Sequence, residues 1–113
     1  YIYAGLTPDD LALELSLLTG WNIDGKELLK IGERGYNIQR LFNIREGISR
    51  KDDYLPKRVL SKPEFGKYSS IDECTIKDFD SMLDEYYEAR GWDKNGIPKM
   101  EKLKELGIDW IKV

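Results

Sequence analysis

The chain is 113 residues long and 41% hydrophobic, with a formal net charge of −3, a single cysteine (Cys74) and no histidine. That length suits one domain with a modest core, and no apolar run approaches the roughly 20 residues that cross a bilayer. A lone thiol without histidine cannot close an internal disulfide, cannot ligate zinc, haem or an iron–sulfur cluster, and leaves out the usual general base near neutral pH. A self-contained metal or redox centre is therefore excluded, and a reducing, cytoplasmic setting is expected.

The opening residues, YIYAGLTPDD, have neither a basic n-region nor a long apolar stretch, so no secretory signal is read there. They begin at Tyr1 rather than a methionine, as a trimmed chain or a piece of a longer one would. Thr7 offers an N-cap, Pro8 the first helical position, and Asp9 and Asp10 acids for the first turn; Leu11, Leu13, Leu15, Leu17 and Leu18 follow, and Gly20 stops the run. A first helix is predicted over about 8–19. Asp24 with Glu27 three residues on makes a capping box for a second helix, carried to about Arg45 and ended by Gly47. Residues 61–70, with Pro63 and Gly66 among polar neighbours, read as a loop. Thr75 is expected to cap a third long helix whose face is Ile76, Phe79, Leu83, Tyr86, Tyr87 and Arg90, before Gly91. A short last helix is predicted from about Pro98 to Leu106, stopped by Gly107.

Gly20-Trp21-Asn22 and Gly91-Trp92-Asp93 form a faint internal echo, each following one helix and preceding the next. Two copies do not make a solenoid. The expectation is one local solution used twice, with glycine in the left-handed cap and tryptophan folded back over the helix end. The predicted fold is all-α: four to five helices in an irregular orthogonal bundle with long loops, residues 1–113 forming a single helical domain.

The second helix changes character along its length. At 100° per residue Ile31, Ile38 and Phe42 share one side while Lys30, Glu33, Arg34 and Asn37 cover the other. Past Arg40 the pattern fails: Leu41, Phe42 and Ile44 point in different directions, which predicts enclosure by a surface this short chain does not itself provide. Arg40 and Arg45 then need hydrogen-bonded partners, since an unpaired buried charge costs several kcal/mol; Glu46, Asp52 and Asp53 are the candidates. Seven basic residues (Arg34, Arg40, Arg45, Arg50, Lys51, Lys57, Arg58) against three acids over 34–58 could mark an anion or nucleic-acid surface, but pairing with the acidic remainder is the preferred reading.

No residue is assigned a catalytic, cofactor-binding or metal-binding role. Asp52-Asp53 lacks a recognisable third ligand and is expected to serve arginine pairing and loop capping. Cys74, without a neighbouring base or second thiol, reads as an inert, partly buried thiol. Gly32-Glu33-Arg34-Gly35 lies inside a helical pattern, so close helix packing is preferred to a phosphate loop. Tyr86-Tyr87 and the tryptophans read as core rather than base-stacking groups.

Several segments, in order, resemble one family. They are Thr19-Gly20-Trp21, Glu27-Leu28-Leu29-Lys30-Ile31-Gly32-Glu33-Arg34, Arg40-Leu41-Phe42-Asn43-Ile44-Arg45-Glu46-Gly47, and Arg50-Lys51-Asp52-Asp53-Tyr54-Leu55-Pro56. They continue with Met82-Leu83-Asp84-Glu85-Tyr86-Tyr87, Arg90-Gly91-Trp92-Asp93, Gly96-Ile97-Pro98 and the run from Glu101 to Gly107. Together they resemble the C-terminal part of the tungsten-containing aldehyde:ferredoxin oxidoreductases, from about Leu6 onward. The resemblance implies a longer parent that oxidises aldehydes to carboxylic acids at a tungsten, or in some members molybdenum, bis-pterin (molybdopterin-type) site. Electrons would pass through one 4Fe-4S cluster to ferredoxin. The family's cluster cysteines and proposed catalytic acid and histidine lie upstream of the matched region, and Cys74 matches none of them. The expectation is thus a C-terminal helical segment that packs against the remaining domains of its parent, is inactive alone, and binds neither nucleic acid nor membrane; a homodimer is compatible. A free-standing helical module that binds a partner protein through the same apolar surface is the alternative.

Overall fold

The computed structural model describes residues 5–112. Five α-helices occur among them: α1 (Pro8–Thr19), α2 (Gly25–Arg45), α3 (Lys57–Leu60), α4 (Phe79–Ala89) and α5 (Met100–Leu106). Short 3-10 turns occur at Arg50–Asp52 and Asp72–Cys74. The described residues contain no strand, only one antiparallel bridge between Trp92 and Pro98, so the all-α expectation holds. None of the described helices is long and apolar enough to cross a membrane.

The start of α1 follows its sequence closely. The Thr7 hydroxyl accepts the Asp10 N–H at 3.2 Å while the Asp10 carboxylate accepts the Thr7 N–H at 2.8 Å, so two otherwise orphaned donors are satisfied reciprocally. Gly20 ends the helix with φ +76°. The chain then doubles back along α1: the Ser16 hydroxyl donates to the Ile23 carbonyl at 3.2 Å, and the Gly25 N–H donates to the Asp9 carboxylate at 3.1 Å. The first turn of α2 therefore rests on the first turn of α1. A Cβ at Gly25 would stand 2.8 Å from the Asp9 backbone nitrogen, closer than any side chain tolerates.

Asp24 caps α2 by accepting the Glu27 N–H at 2.8 Å. The other arm of the expected capping box does not form, because the Glu27 carboxylate pairs with Arg34 one helical face along at 3.1 Å. At the far end the Gly47 N–H donates to the Ile44 carbonyl and the Ile48 N–H to the Asn43 carbonyl, both at 2.9 Å. Gly47 thus terminates the helix as predicted. Residues 61–70 form a loop, again as predicted, although the four-residue α3 before it has no sequence signal.

Two helix starts are corrected. Thr75 does not cap α4; it closes the 3-10 turn before it, and the Ile76 N–H is held by the Leu60 carbonyl at 2.9 Å. Asp78 is the cap, accepting the Ser81 N–H at 3.0 Å, so the helix begins three residues later than expected. Likewise α5 begins at Met100 rather than Pro98, because Pro98 bridges Trp92 and the Lys99 N–H donates to the Gly91 carbonyl at 3.0 Å. These residues are drawn into a tight 92–98 turn, in which Asp93 Oδ1 accepts the Asn95 and Ile97 N–H groups at 2.8 and 2.9 Å.

The core is small and split. Leu41 of α2 packs with Leu103 and Leu106 of α5 and with Ile108, while Leu83 and Tyr87 of α4 pack with Trp92 and half-buried Phe79. The radius of gyration is 18.4 Å and the extents are 54 × 37 × 21 Å, against roughly 13 Å expected for a compact domain of this length. The accessible surface is 8910 Å² for a 13.2 kDa chain, against roughly 6,400 Å² for a folded monomer of that mass.

Candidate functional site

The best-ordered polar constellation joins α2, the turn after it, α4 and the 92–98 turn around Arg40. Its guanidinium is 7% exposed. Nε donates to the Gly96 carbonyl at 2.8 Å, and Nη1 and Nη2 donate to the two oxygens of Asp53 at 2.8 and 2.6 Å. This bidentate geometry uses the planar fork that distinguishes arginine from lysine. The Tyr87 hydroxyl donates to the same carboxylate, and the guanidinium carbon lies 4.9 Å from the Trp92 ring centroid and 5.9 Å from that of Tyr87. Trp92 is fixed in turn, its Nε1–H donating to the Asn37 side-chain oxygen at 2.8 Å while Asn37 Nδ2 donates to the Glu33 carbonyl at 2.9 Å.

The electrostatics follow from these contacts. Burial would raise the Asp53 carboxyl, but the bonds from Arg40 and Tyr87 outweigh it and hold it below the ordinary carboxylate value. Burial and the bond to Asp53 push the Tyr87 phenol up to about 12. Arg40, Asp53, Tyr87, Trp92 and Asn37 thus each hold a hydrogen-bond partner within the cluster. Gly96, at φ +77°, is required here: a Cβ would come within 2.8 Å of the Tyr87 ring and overlap Arg40. Two cavities flank the cluster, one of about 250 Å³ beside Tyr36, Gln39, Asn43 and Tyr86 and one of about 380 Å³ beside Asp84, Glu88, Lys94 and Lys99, both near the lower end of the range of about 300–1,000 Å³ for small-molecule sites.

A second ring surrounds this joint. Arg50 reaches across to Asp84 and Asp80 and donates to the Lys94 carbonyl at 3.0 Å. Tyr36 and Tyr86 share a hydroxyl–hydroxyl bond of 2.7 Å, the Tyr36 ring stacks on Trp92 at 5.9 Å, and Arg90 lies 4.4 Å over the Tyr36 ring. On the other side of α2, Lys102 of α5 bridges Glu33 at 3.2 Å and Arg34 Nε donates to the Leu106 carbonyl at 2.8 Å, so the end of α5 is capped from α2.

Of the pairings read from the sequence, Arg40–Asp53 forms and Asp52 caps the Ser49 N–H at 2.9 Å. Arg45 pairs with Glu46, one of its expected partners, at 3.4 Å and lies 5.1 Å over the Phe42 ring, but its expected burial is corrected, since it is 59% exposed. Arg34, Arg40, Arg45 and Arg50 all find carboxylates, in line with internal pairing of the basic segment. Gly32 and Gly35 are also corrected, since nothing lies within 4 Å of a Cβ built at either. Cys74 is exposed rather than partly buried. The repeated Gly-Trp unit holds for both glycines, at φ +76° and +68°, but only Trp92 folds inward, at 3% exposure, while Trp21 stands 60% exposed. Tyr87 is buried core as expected. Around Leu41–Ile44, Leu41 is covered by α5, Ile44 is half-buried and Phe42 is left open. The sequence reading missed Tyr87 as a partner of Asp53 and the Asn37–Trp92 bond, and its two sides of α2 are corrected: Asn37, placed on the polar side, is fully buried, while Ile31, Ile38 and Phe42 of the apolar side are 37%, 42% and 53% exposed.

The family model for aldehyde ferredoxin oxidoreductase, domains 2 and 3, matches residues 2–108. The chain belongs to the aldehyde ferredoxin oxidoreductase family. It is 43% identical over 106 residues to a tungsten-containing aldehyde ferredoxin oxidoreductase of Pyrococcus furiosus, covering 92% of this chain and 17% of that protein. A relative of the same description in Pyrococcus abyssi is 41% identical over 106 residues, covering 93% of this chain and 17% of its own length. The WOR-like subunit of an aliphatic sulfonate oxidoreductase from Pyrococcus furiosus is 37% identical over 105 residues, covering 84% and 16%. In space the chain is similar to the active-site complex of benzoyl coenzyme A reductase with 1,5 dienoyl-CoA, at TM-score 0.70 and 26% identity, covering 91% of this chain and 14% of that one. The chain spans about a sixth of the length of these curated relatives, in their C-terminal part.

Proposed function

We propose that this chain is the C-terminal helical segment of a tungsten-containing aldehyde:ferredoxin oxidoreductase, supplying packing for the cofactor-bearing part of its parent rather than chemistry. The observation that carries the reading is the surface. The described residues bury only eight hydrophobic side chains, from Ala12 to Ile108, and leave many large ones open. The excess over a compact monomer, roughly 2,500 Å², is of the size that obligate interfaces cover. Relatives sharing the segment are named for aldehydes, aliphatic sulfonates and benzoyl coenzyme A, which supports a role not tied to one substrate.

The donor set does not fit the family's iron–sulfur cluster. A 4Fe-4S cluster takes four thiolates, and this chain has one exposed cysteine and no histidine. Cluster, tungsten-pterin, the ferredoxin contact and the cytoplasmic setting all belong, in this reading, to the parent as a whole. The test is to assay the full-length parent and this segment side by side for tungsten, iron and aldehyde-dependent reduction of ferredoxin. Metal and turnover are expected in the parent and neither in the segment; stoichiometric tungsten or iron in the segment overturns the assignment.

A further inference from the structure

We propose that the outer face of α1, built from Leu13, Leu17 and Leu18 and continued by Trp21, is the principal surface on which the preceding part of the parent polypeptide seats this segment. The proposal rests on the packing role above and deepens it by naming the face and its occupant.

The leucines of α1 spread over more than half of its circumference at 100° per residue, with Glu14, Ser16 and Thr19 between them. The Ala12 and Ser16 side turns toward the strip of chain that returns along the helix, as the Ser16–Ile23 bond shows. Leu11 and Leu15 are half-buried, and among the described residues the remainder is left open: Leu13 is 60%, Leu17 77% and Leu18 83% exposed, and Trp21 is 60% exposed just past the helix end. A helix whose apolar arc is wider than the side it buries has apolar surface left to cover, and exposed leucines one turn apart, as Leu13 and Leu17 are, mark an interaction surface. The competing stripe on α2 is weaker, with Ile31 at 37%, Ile38 at 42% and Phe42 at 53%.

The occupant follows from chain length and charge. Relatives are about six times as long as the matched segment, which lies in their C-terminal part, and α1 is the first described helix of the match. The mass available to cover α1 in the same polypeptide is thus almost all upstream. α1 carries Asp9, Asp10 and Glu14 and no basic residue; Asp9 and Asp10 are engaged by Gly25 and Thr7, leaving exposed Glu14 beside Leu13 and Leu17. The covering surface is accordingly apolar, with a basic group placed against Glu14.

Hydroxyl-radical footprinting of the full-length parent, read residue by residue by mass spectrometry and normalised to intrinsic side-chain reactivity, tests this. Leu13, Leu17, Leu18 and Trp21 are expected to react several-fold less than Phe65, which is 86% exposed in a loop. If the α1 leucines react as fully as Phe65 while Ile38 and Phe42 are protected, the assignment to α1 is wrong and the packing role stands. If both faces react fully, both fall. If α1 protection disappears on dilution in step with a fall in mass by light scattering, the occupant is a second copy and the proposal is overturned.

Discussion

Arg40 shows how one side chain can decide the geometry of a whole joint. Its guanidinium is nearly dry, and removing its partner leaves a buried charge unmatched. Asp53→Ala is expected to destabilise the fold by about 3 kcal/mol, measured by denaturant unfolding, whereas Arg45→Ala at an exposed pair should change stability by less than about 0.5 kcal/mol. The pH dependence has a definite sign. The Asp53 value lies below its ordinary 3.8, so its contribution is complete above 3.8 and is lost as pH falls through the lowered value. The Tyr87 phenol is raised from 10.0 to about 12, so its contribution is complete below 10.0 and is lost as pH rises between those values. Unfolding midpoints followed in both directions should show both losses, and Asp53→Asn should reduce the acid-side one, the remainder coming from the capping carboxyls Asp10 and Asp78, which Thr7 and Ser81 also hold low.

At the scale of elements, glycines separate internal contacts from surfaces left for others. Gly25 lies against the Asp9 backbone, so Gly25→Ala must push α1 and α2 apart and is expected to destabilise by about 1–3 kcal/mol. Gly35 is in the middle of α2 with nothing within 4 Å of a Cβ. Gly35→Ala should therefore stabilise the segment by about 0.5–1 kcal/mol through helix propensity alone. Circular dichroism melts of the two variants check both signs. Helix ends were legible where the signal was a local cap or a left-handed glycine, as at Thr7, Asp24, Gly47 and Gly107. They differ at Thr75 and Pro98, because the Ile76 and Lys99 N–H groups donate to the Leu60 and Gly91 carbonyls, outside the local window, and so leave the helix that local rules had assigned them.

The molecule as a whole is extended for its length. Small-angle scattering of the monomeric segment should return a radius of gyration near 18.4 Å rather than the roughly 13 Å of a compact domain. The exposed leucines of α1 should drive self-association, and Leu17→Lys with Leu18→Lys should relieve it without moving the helical signal, as light scattering and circular dichroism would show. The split core explains this behaviour. One cluster ties α2 to α5 and another closes α4 on Trp92, and neither reaches around α1.

By itself the sequence determined the all-α class, most helix bounds, the family, and an inventory of one cysteine and no histidine. The class and bounds follow from periodicity and caps, read within a few positions, and the family from the resemblance of ordered segments along the chain. Tertiary structure alone decided that Arg40 rather than Arg45 is buried, that Tyr87, Gly96 and Asn37 complete its setting, and that Trp92 folds inward while Trp21 does not. It also moved the most exposed apolar surface from the end of α2 to α1. Burial depends on which elements arrive from elsewhere in the chain, and α5 covers Leu41 while nothing within the described residues reaches Leu17.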